Sequence, residues 1–304
     1  MKANRTSSTL SRLCLVPGVL LALALPARAG EFKITVTGLE ASPYRTWFDQ
    51  AAAFWSSAIT GYANANYNTN NLTGITIAAS VETLGAGILG QAGPTTGKFD
   101  SLTKTLFATA GQMTFSSSYA ATMHADGSFL YVAMHEMGHV LGFGTLWNYV
   151  NGSTTFNNVL DASGNYIGAA ALAAYREEFG LPDAQFIPVE KGGGSGTAGG
   201  HWDEVDGGNG LTGVISLITG LDMKYELMTG WVSDPMFVSR MTLAMFEDIG
   251  YTVDYSVLSA AVPEPAALPL LMAGIVLAVV VACLRRRRRA GPAHPRAPVR
   301  PVCR

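Results

Sequence analysis

The sequence feature that most constrains this chain is a His-Glu-x-x-His pentad, residues 135–139, that directly follows an apolar run, residues 129–134. The apolar run predicts a buried helix, and the glycines at 142 and 144 predict its end. Residues four apart lie on one face of a helix, with side chains about 5–6 Å apart. His135 and His139 are therefore expected to direct two imidazole nitrogens toward one point.

Two neutral imidazoles at one point suit a divalent metal ion, and zinc fits best because it prefers tetrahedral sites with nitrogen ligands. Glu136 follows the first histidine, so its carboxylate can take a proton from a metal-bound water. A hydrolytic zinc site needs a third protein ligand and leaves the fourth position for water. The pentad alone therefore does not complete the predicted site.

Two other histidines, His124 and His201, lie between residues 30 and 261 and are the candidates for the third ligand. His124 precedes His135 by 11 residues, or about 16 Å along a helix axis, so the chain would have to fold back. His201 follows residues 191–200, which are nearly all Gly, Ser, Thr and Ala and predict a mobile loop. We favour His201 and keep His124 as the alternative.

The first 29 residues have the pattern of a secretory signal peptide. Basic residues precede an apolar run at 13–25, and Ala27-Arg28-Ala29 provides a small-x-small cleavage site. We expect signal peptidase to cleave after Ala29.

The other end of the sequence carries a second targeting pattern. Pro263-Glu264-Pro265 precedes an apolar segment, residues 268–284, and five arginines at 285–289. About 17 apolar residues are just enough to span a bilayer, and the arginines predict a cytoplasmic end. Residues 262–289 resemble the PEP-CTERM sorting signals of Gram-negative bacteria. The resemblance implies transient anchoring in the inner membrane, cleavage by an exosortase-type enzyme, and release to the cell surface or extracellular matrix. Residues 290–304 form a basic, proline-rich tail.

Between the two targeting patterns, residues 30–261 are predicted to form the exported domain. All three cysteines lie outside it, so it cannot rely on disulfides. The domain holds 8 of the 20 Lys and Arg residues but 21 of the 22 Asp and Glu residues, for a net charge of −13. Such a domain is expected to repel nucleic acid.

Hydrophobic periodicity predicts both strands and helices in this domain. Strands are expected over residues 32–37, 75–81 and 112–115, and helices over 44–59 and 169–179. Residues 85–94 are glycine-rich and predict either an edge strand, which could pair with an extended peptide, or a plain loop. The Asn- and Ser-rich segment 152–168 contains Asp161 and Asn165, whose oxygens could bind calcium.

Three motifs, residues 135–143, 196–202 and 226–230, occur in the order found in leishmanolysin-like metzincin zinc proteases, which this sequence resembles. In that family a long insertion separates the third zinc histidine from the helix. The compact metzincin pattern would instead require a histidine where this chain has Thr145. The resemblance implies that His135, His139 and His201 bind zinc, that Glu136 is the general base, and that Met228 forms the methionine turn beneath the metal.

The resemblance also implies a fold and an activity. We expect an α+β, metzincin-like fold with a twisted, mostly antiparallel sheet and the active-site helix in residues 30–144. A mainly irregular and helical subdomain is expected in residues 145–261. The implied activity is that of a secreted zinc endopeptidase acting on protein or peptide substrates. The segment 203–224 is longer than in the family, and its apolar residues 214–218 are expected to form a lid or a substrate wall.

A second functional hypothesis is a non-enzymatic surface or matrix protein that zinc stabilises. The predicted export tail fits this hypothesis equally well. The glutamate of the pentad favours the enzyme, because a structural zinc usually has four protein ligands and needs no carboxylate beside it.

Overall fold

A four-stranded mixed sheet forms the core of the first half of the chain in the computed structural model, which describes residues 32–63, 72–204 and 210–258. Its strands are β1 (Lys33–Thr37), β3 (Gly74–Glu82), β4 (Gly90–Asp100) and β5 (Thr105–Ser116), in the order β1-β3-β5-β4. A short strand, β2 (Ile59–Tyr62), lies outside this sheet.

The pairing in this sheet corrects one expectation. β1 pairs with β3, and β3 with β5, in parallel, and only the β4–β5 pair is antiparallel. The α+β class is therefore confirmed, but the prediction of a mostly antiparallel sheet was wrong. A helix between β1 and β3 returns the chain to its starting edge, which gives a parallel pair, whereas the short turn between β4 and β5 forces an antiparallel hairpin.

Two helices pack against each other and against the sheet. They are α1 (Arg45–Ala58) and α3 (Phe129–Leu141), and a short helix, α2 (Ala120–Asp126), precedes α3. The indole of Trp55 on α1 donates a hydrogen bond of 2.8 Å to the carbonyl of Met134 on α3. The Phe48 ring packs edge-on against Phe115 and Phe129. Aromatic residues of α1 thus lie in the core and fix the position of α3.

The second half of the chain is mostly irregular, as predicted. Its elements are the hairpin β6 (Tyr149–Asn151) and β7 (Thr154–Phe156), the helices α4 (Ala169–Glu178) and α5 (Arg240–Asp248), the strand β8 (Tyr251–Val253), and two 3-10 turns at Met223–Tyr225 and Tyr255–Leu258. β8 pairs with β2, so the end of the described chain returns to the first half. The Asp248 carboxylate accepts hydrogen bonds from the N–H groups of Ala170 and Ala171 at the start of α4, which joins the two helices.

The segment 203–224 docks on these two helices. The Ser216 hydroxyl donates a 2.9 Å hydrogen bond to the Glu178 carboxylate at the end of α4, and the Leu217 N–H donates to the Glu178 carbonyl. The second carboxylate oxygen of Glu178 accepts from the N–H of Arg240 at the start of α5. Ile215, Leu217 and Ile218 remain exposed to solvent.

None of the helices in the described ranges has the length and apolarity that a bilayer crossing requires. The predicted signal peptide at 1–29, membrane span at 268–284 and tail at 290–304 all lie outside the described residues. The proposed division of the domain at residue 144 likewise stays a prediction.

Candidate metal centre and cleft

Three histidines converge on one point, as the sequence predicted. His135 and His139 lie on the same face of α3, and His201 comes from the chain that follows the glycine-rich loop. The Nε2 atom of His135 lies 3.0 Å from that of His139 and 3.1 Å from that of His201, and the remaining pair is 3.0 Å apart. Among the described residues, this is the one group of three or more such side chains placed to hold a metal ion.

Backbone carbonyls fix the orientation of all three rings. The Nδ1 atom of His135 lies 2.7 Å from the carbonyl oxygen of Leu227. The Nδ1 atom of His139 lies 2.9 Å from the carbonyl oxygen of Phe143. The Nδ1 atom of His201 lies 2.8 Å from the carbonyl oxygen of Thr197. Because a carbonyl only accepts, each Nδ1 carries the proton, and each neutral ring directs the Nε2 lone pair into the cluster.

Three lone pairs so close together repel one another unless a cation lies between them. Protonation does not supply that cation, because burial lowers the pKa of His135 to about 3 and also lowers the pKa values of His139 and His201. Nitrogen ligands at 2.0–2.1 Å from a tetrahedral zinc ion are about 3.3–3.4 Å apart, close to the observed spacing. The donor set therefore fits zinc.

Glu136 lies at this cluster with its carboxylate against the start of β4. A Cβ atom on Gly90 would lie 2.6 Å from the Glu136 Oε1 atom, so only glycine leaves room for the carboxylate here. Burial raises the pKa of Glu136 to about 8. A cation held by the neighbouring imidazoles would favour the charged form instead.

The family model for leishmanolysin, peptidase M8, matches residues 99–262, which is more than half of the 304 residues. This chain belongs to the leishmanolysin family. A leishmanolysin homolog from Crithidia fasciculata is 27% identical over 134 residues, which are 43% of this chain and 18% of that protein. The chain thus spans about a fifth of the length of the curated relative that it matches.

In this leishmanolysin-family chain, the turn at residues 226–229 packs directly against α3. Met228 is fully buried, and a Cβ atom on Gly138 would lie 2.8 Å from its sulfur. The glycine between the two helical histidines is thus where the turn approaches α3. The preceding residue of the turn, Leu227, supplies the carbonyl that orients His135.

The Glu226 side chain stabilises this turn. Its buried carboxylate accepts hydrogen bonds from the N–H of Met228, from the N–H and hydroxyl of Ser239, and from the hydroxyl of Thr242. Burial raises the pKa of Glu226, and these donors act in the opposite direction. The motif at residues 226–230 did not indicate that this glutamate joins the turn to α5.

The glycine-rich loop that carries His201 forms a compact turn. Four of its glycines, at 193, 194, 196 and 199, have positive φ angles, which few other residues adopt. A Cβ atom on Gly144 would lie 2.3 Å from the Gly200 carbonyl oxygen. The glycine that follows α3 therefore lets the loop approach the helix closely enough for His201 to reach the cluster.

A cleft of about 750 Å³ opens at the three histidines. Its walls come from the start of β4, from α3, from the glycine-rich loop and from residues 229–232. The edge strand expected over 85–94 is present but begins at Gly90. The described residues of segment 203–224 do not line this cleft, so the expectation of a lid or substrate wall is not supported; the hydrogen bonds to Glu178 hold the segment against α4.

His124 and the 152–168 segment lie apart from this cleft. The Nδ1 atom of His124 accepts a hydrogen bond of 2.8 Å from the indole of Trp47, so His124 is not the third member of the cluster. In the 152–168 segment, Asp161 accepts hydrogen bonds from the N–H groups of Ser163 and Asn165. The Lys191 ammonium donates to two carbonyls of the same turn. Calcium binding there stays a prediction without support from this geometry.

Proposed function

We propose that the chain is a secreted, zinc-dependent endopeptidase in which Glu136 acts as the general base. The observation that carries this proposal is the set of three unprotonated Nε2 atoms at the floor of an open cleft with a carboxylate beside them. A metal held this way has three protein ligands and access from the cleft, which is the arrangement of a catalytic rather than a structural zinc site.

His135, His139 and His201 would hold the ion, and their carbonyl partners would keep the rings aligned. When bound, zinc supplies a Lewis acid that polarises the scissile carbonyl and lowers the pKa of an attacking water toward about 7. Met228 would provide the apolar floor beneath it. The protein contributes fixed ligand directions, so little reorganisation is needed during the reaction.

The Glu136 carboxylate would take the proton of the attacking water and pass it to the leaving amine. Gly90 leaves the space in which this carboxylate lies. The metal charge favours the ionised form of Glu136 before attack, and transfer of the proton to the amine restores that form.

Protein or peptide substrates would lie along the start of β4. This strand is at the edge of the sheet, and residues 90–92 line the cleft. An extended peptide can add to such an edge through backbone hydrogen bonds, which would place its scissile bond beside the histidines.

Export is proposed from the sequence patterns at 1–29 and 262–289, with signal peptidase and an exosortase-type enzyme as processing partners. The protein would be anchored transiently in the inner membrane and then reach the cell surface or matrix. Replacing Pro263-Glu264-Pro265 with alanines should leave the protein in the membrane fraction of its host. An unchanged distribution between membrane, surface and medium would contradict this part of the proposal.

Casein digestion with and without a chelator distinguishes the peptidase from a zinc-stabilised surface protein. The zinc-loaded protein should cut casein, lose activity with the chelator, and regain it with zinc. Glu136→Ala should retain one zinc per chain and the native melting temperature but lose activity. Casein cleavage by Glu136→Ala at the parental rate would refute the assignment of the base, and an inactive zinc-loaded parent would favour the surface protein.

A further inference from the structure

A pair of buried glutamates lies at the base of the loop that carries His201. Glu190 precedes the glycine-rich loop and Glu204 follows His201 by three residues, and each is only 3% exposed. The N–H of Glu190 donates to the His201 carbonyl, and the N–H of Gly199 donates to the Glu190 carbonyl. The pair therefore lies where the two ends of the loop meet.

These carboxylates lack the donors that other buried acids have. One oxygen of Glu190 accepts from the N–H of Gly192, but its second oxygen and both oxygens of Glu204 accept no hydrogen bond of good geometry from the described residues. The Glu204 carboxyl group approaches that of Glu190 and the N–H groups of Glu204 and Gly230. The buried carboxylates of Glu226 and Glu178 both accept from backbone and side-chain donors. Glu190 and Glu204 thus differ from these two buried acids in lacking donors.

Basic side chains do not neutralise the pair either. Neither Glu190 nor Glu204 forms a salt bridge with a basic side chain of the described residues. Lys191 is adjacent in sequence, but its ammonium donates to the carbonyls of Ser163 and Gly164. Burial, together with the adjacent Glu190 carboxylate, raises the pKa of Glu204 to about 8, despite nearby peptide N–H groups.

A buried, unpaired carboxylate is costly, and two together are more so, unless a cation compensates them. Three free carboxylate oxygens are hard donors, which suit calcium rather than the softer metals that imidazoles prefer. We propose that Glu190 and Glu204 form a second metal site, separate from the three histidines, that binds a calcium ion.

Such an ion would join the two ends of the loop that delivers His201. It would connect residue 190 to residue 204 directly, so that the loop between them could not open without releasing calcium. Calcium would therefore stabilise the fold and slow the loss of zinc. This site does not depend on the proposed peptidase activity, because neither glutamate belongs to the cluster of three histidines.

Calcium binding to the zinc-loaded, full-length protein tests this inference by equilibrium dialysis against calcium chloride. The parent should bind one calcium per chain, and its melting temperature should rise by roughly 5–10 °C at a hundredfold excess over Kd. Glu204→Gln and Glu190→Gln should each lose this binding and the thermal shift. Asp161→Asn is the matched control, since it removes a carboxylate from the other candidate calcium segment, and it should bind as the parent does.

Two results would overturn the inference. The first is no bound calcium in the parent at millimolar calcium, in which case the two carboxyl groups are neutralised by a shared proton. The second is unchanged calcium stoichiometry in both glutamine variants. Zinc content, measured on the same samples, separates these outcomes from a failure of the histidine site.

Discussion

Replacing Gly90 with alanine should impair catalysis without removing the metal. The added Cβ atom would lie 2.6 Å from the Oε1 atom and 2.9 Å from the Cδ atom of Glu136. Ordinary van der Waals contacts of a Cβ atom are 3.4–4 Å, so the carboxylate must move by about 1 Å. The three atoms nearest to the added Cβ atom all belong to Glu136, so the three histidines should keep their geometry.

The expected loss follows from the displacement of the base. A general base must lie within about 2.6–3.2 Å of the group whose proton it takes, and a misplacement of about 1 Å can cost about 100-fold in rate. We therefore expect kcat/KM to fall by about two orders of magnitude, or about 2.7 kcal/mol of transition-state stabilisation. Zinc stoichiometry should stay at one per chain.

Gly93→Ala is the matched control for this experiment. Gly93 lies on the same strand, and a Cβ atom there would have no neighbour within 4 Å. Initial rates on a fluorescent casein substrate, zinc content and melting temperature should be measured for both variants. Full activity of Gly90→Ala, or an equal loss in Gly93→Ala, would refute the role assigned to the position of Glu136.

Four further variants probe the metal site and the framework around it. His201→Ala should bind zinc far more weakly whereas His124→Ala should bind it normally, as measured by zinc content after dialysis; equal retention would contradict the ligand set. Glu226→Gln should lower the free energy of unfolding by about 2–3 kcal/mol, because buried donors lose a charged acceptor; a change below about 0.5 kcal/mol in urea denaturation would contradict this. Burial raises the pKa of Asp222, but N–H groups of Lys224, Thr212 and Gly213 outweigh it and lower the net value. A lowered folded-state pKa adds stability above the unfolded value, about 3.9, that is lost as the pH falls through the folded value. Asp222→Asn should thus be less stable than the parent at pH 7 and equal to it at low pH, and a pH-independent difference in urea midpoints would be the contrary result.

Sequence alone predicted the parts of the site that follow from helix geometry. His135 and His139 had to share a face because they are four residues apart on a helix. His201 was favoured over His124 because a glycine-rich loop could carry it to the helix. The structure brings His201 to the cluster and places His124 against Trp47.

The parts that were missed depend on contacts between segments distant in sequence. Gly90 and Glu136 are 46 residues apart, and no local pattern indicates that the glycine makes room for the carboxylate. The carbonyls of Leu227, Phe143 and Thr197 orient the imidazoles through the backbone, so residue identity carries no signal for them. The prediction of mostly antiparallel pairing was also wrong, because alternation of apolar residues predicts a strand but not which strand it pairs with.

The position of segment 203–224 could not be predicted from the sequence either. Its apolar residues predicted a surface near the active site, yet Ser216 and Leu217 hydrogen-bond to Glu178 and keep the segment on α4. The apolar residues predicted a packed surface but not its location, whereas the hydrogen bond from Ser216 to Glu178 determines where the segment docks.

X-ray absorption at the zinc edge of the purified protein tests the central claim most directly. We predict one zinc per chain with three imidazole nitrogens at about 2.0–2.1 Å and one exchangeable oxygen. His201→Ala should lose one imidazole from this shell. A zinc ion with four protein ligands, or a shell that His201→Ala leaves unchanged, would contradict the account.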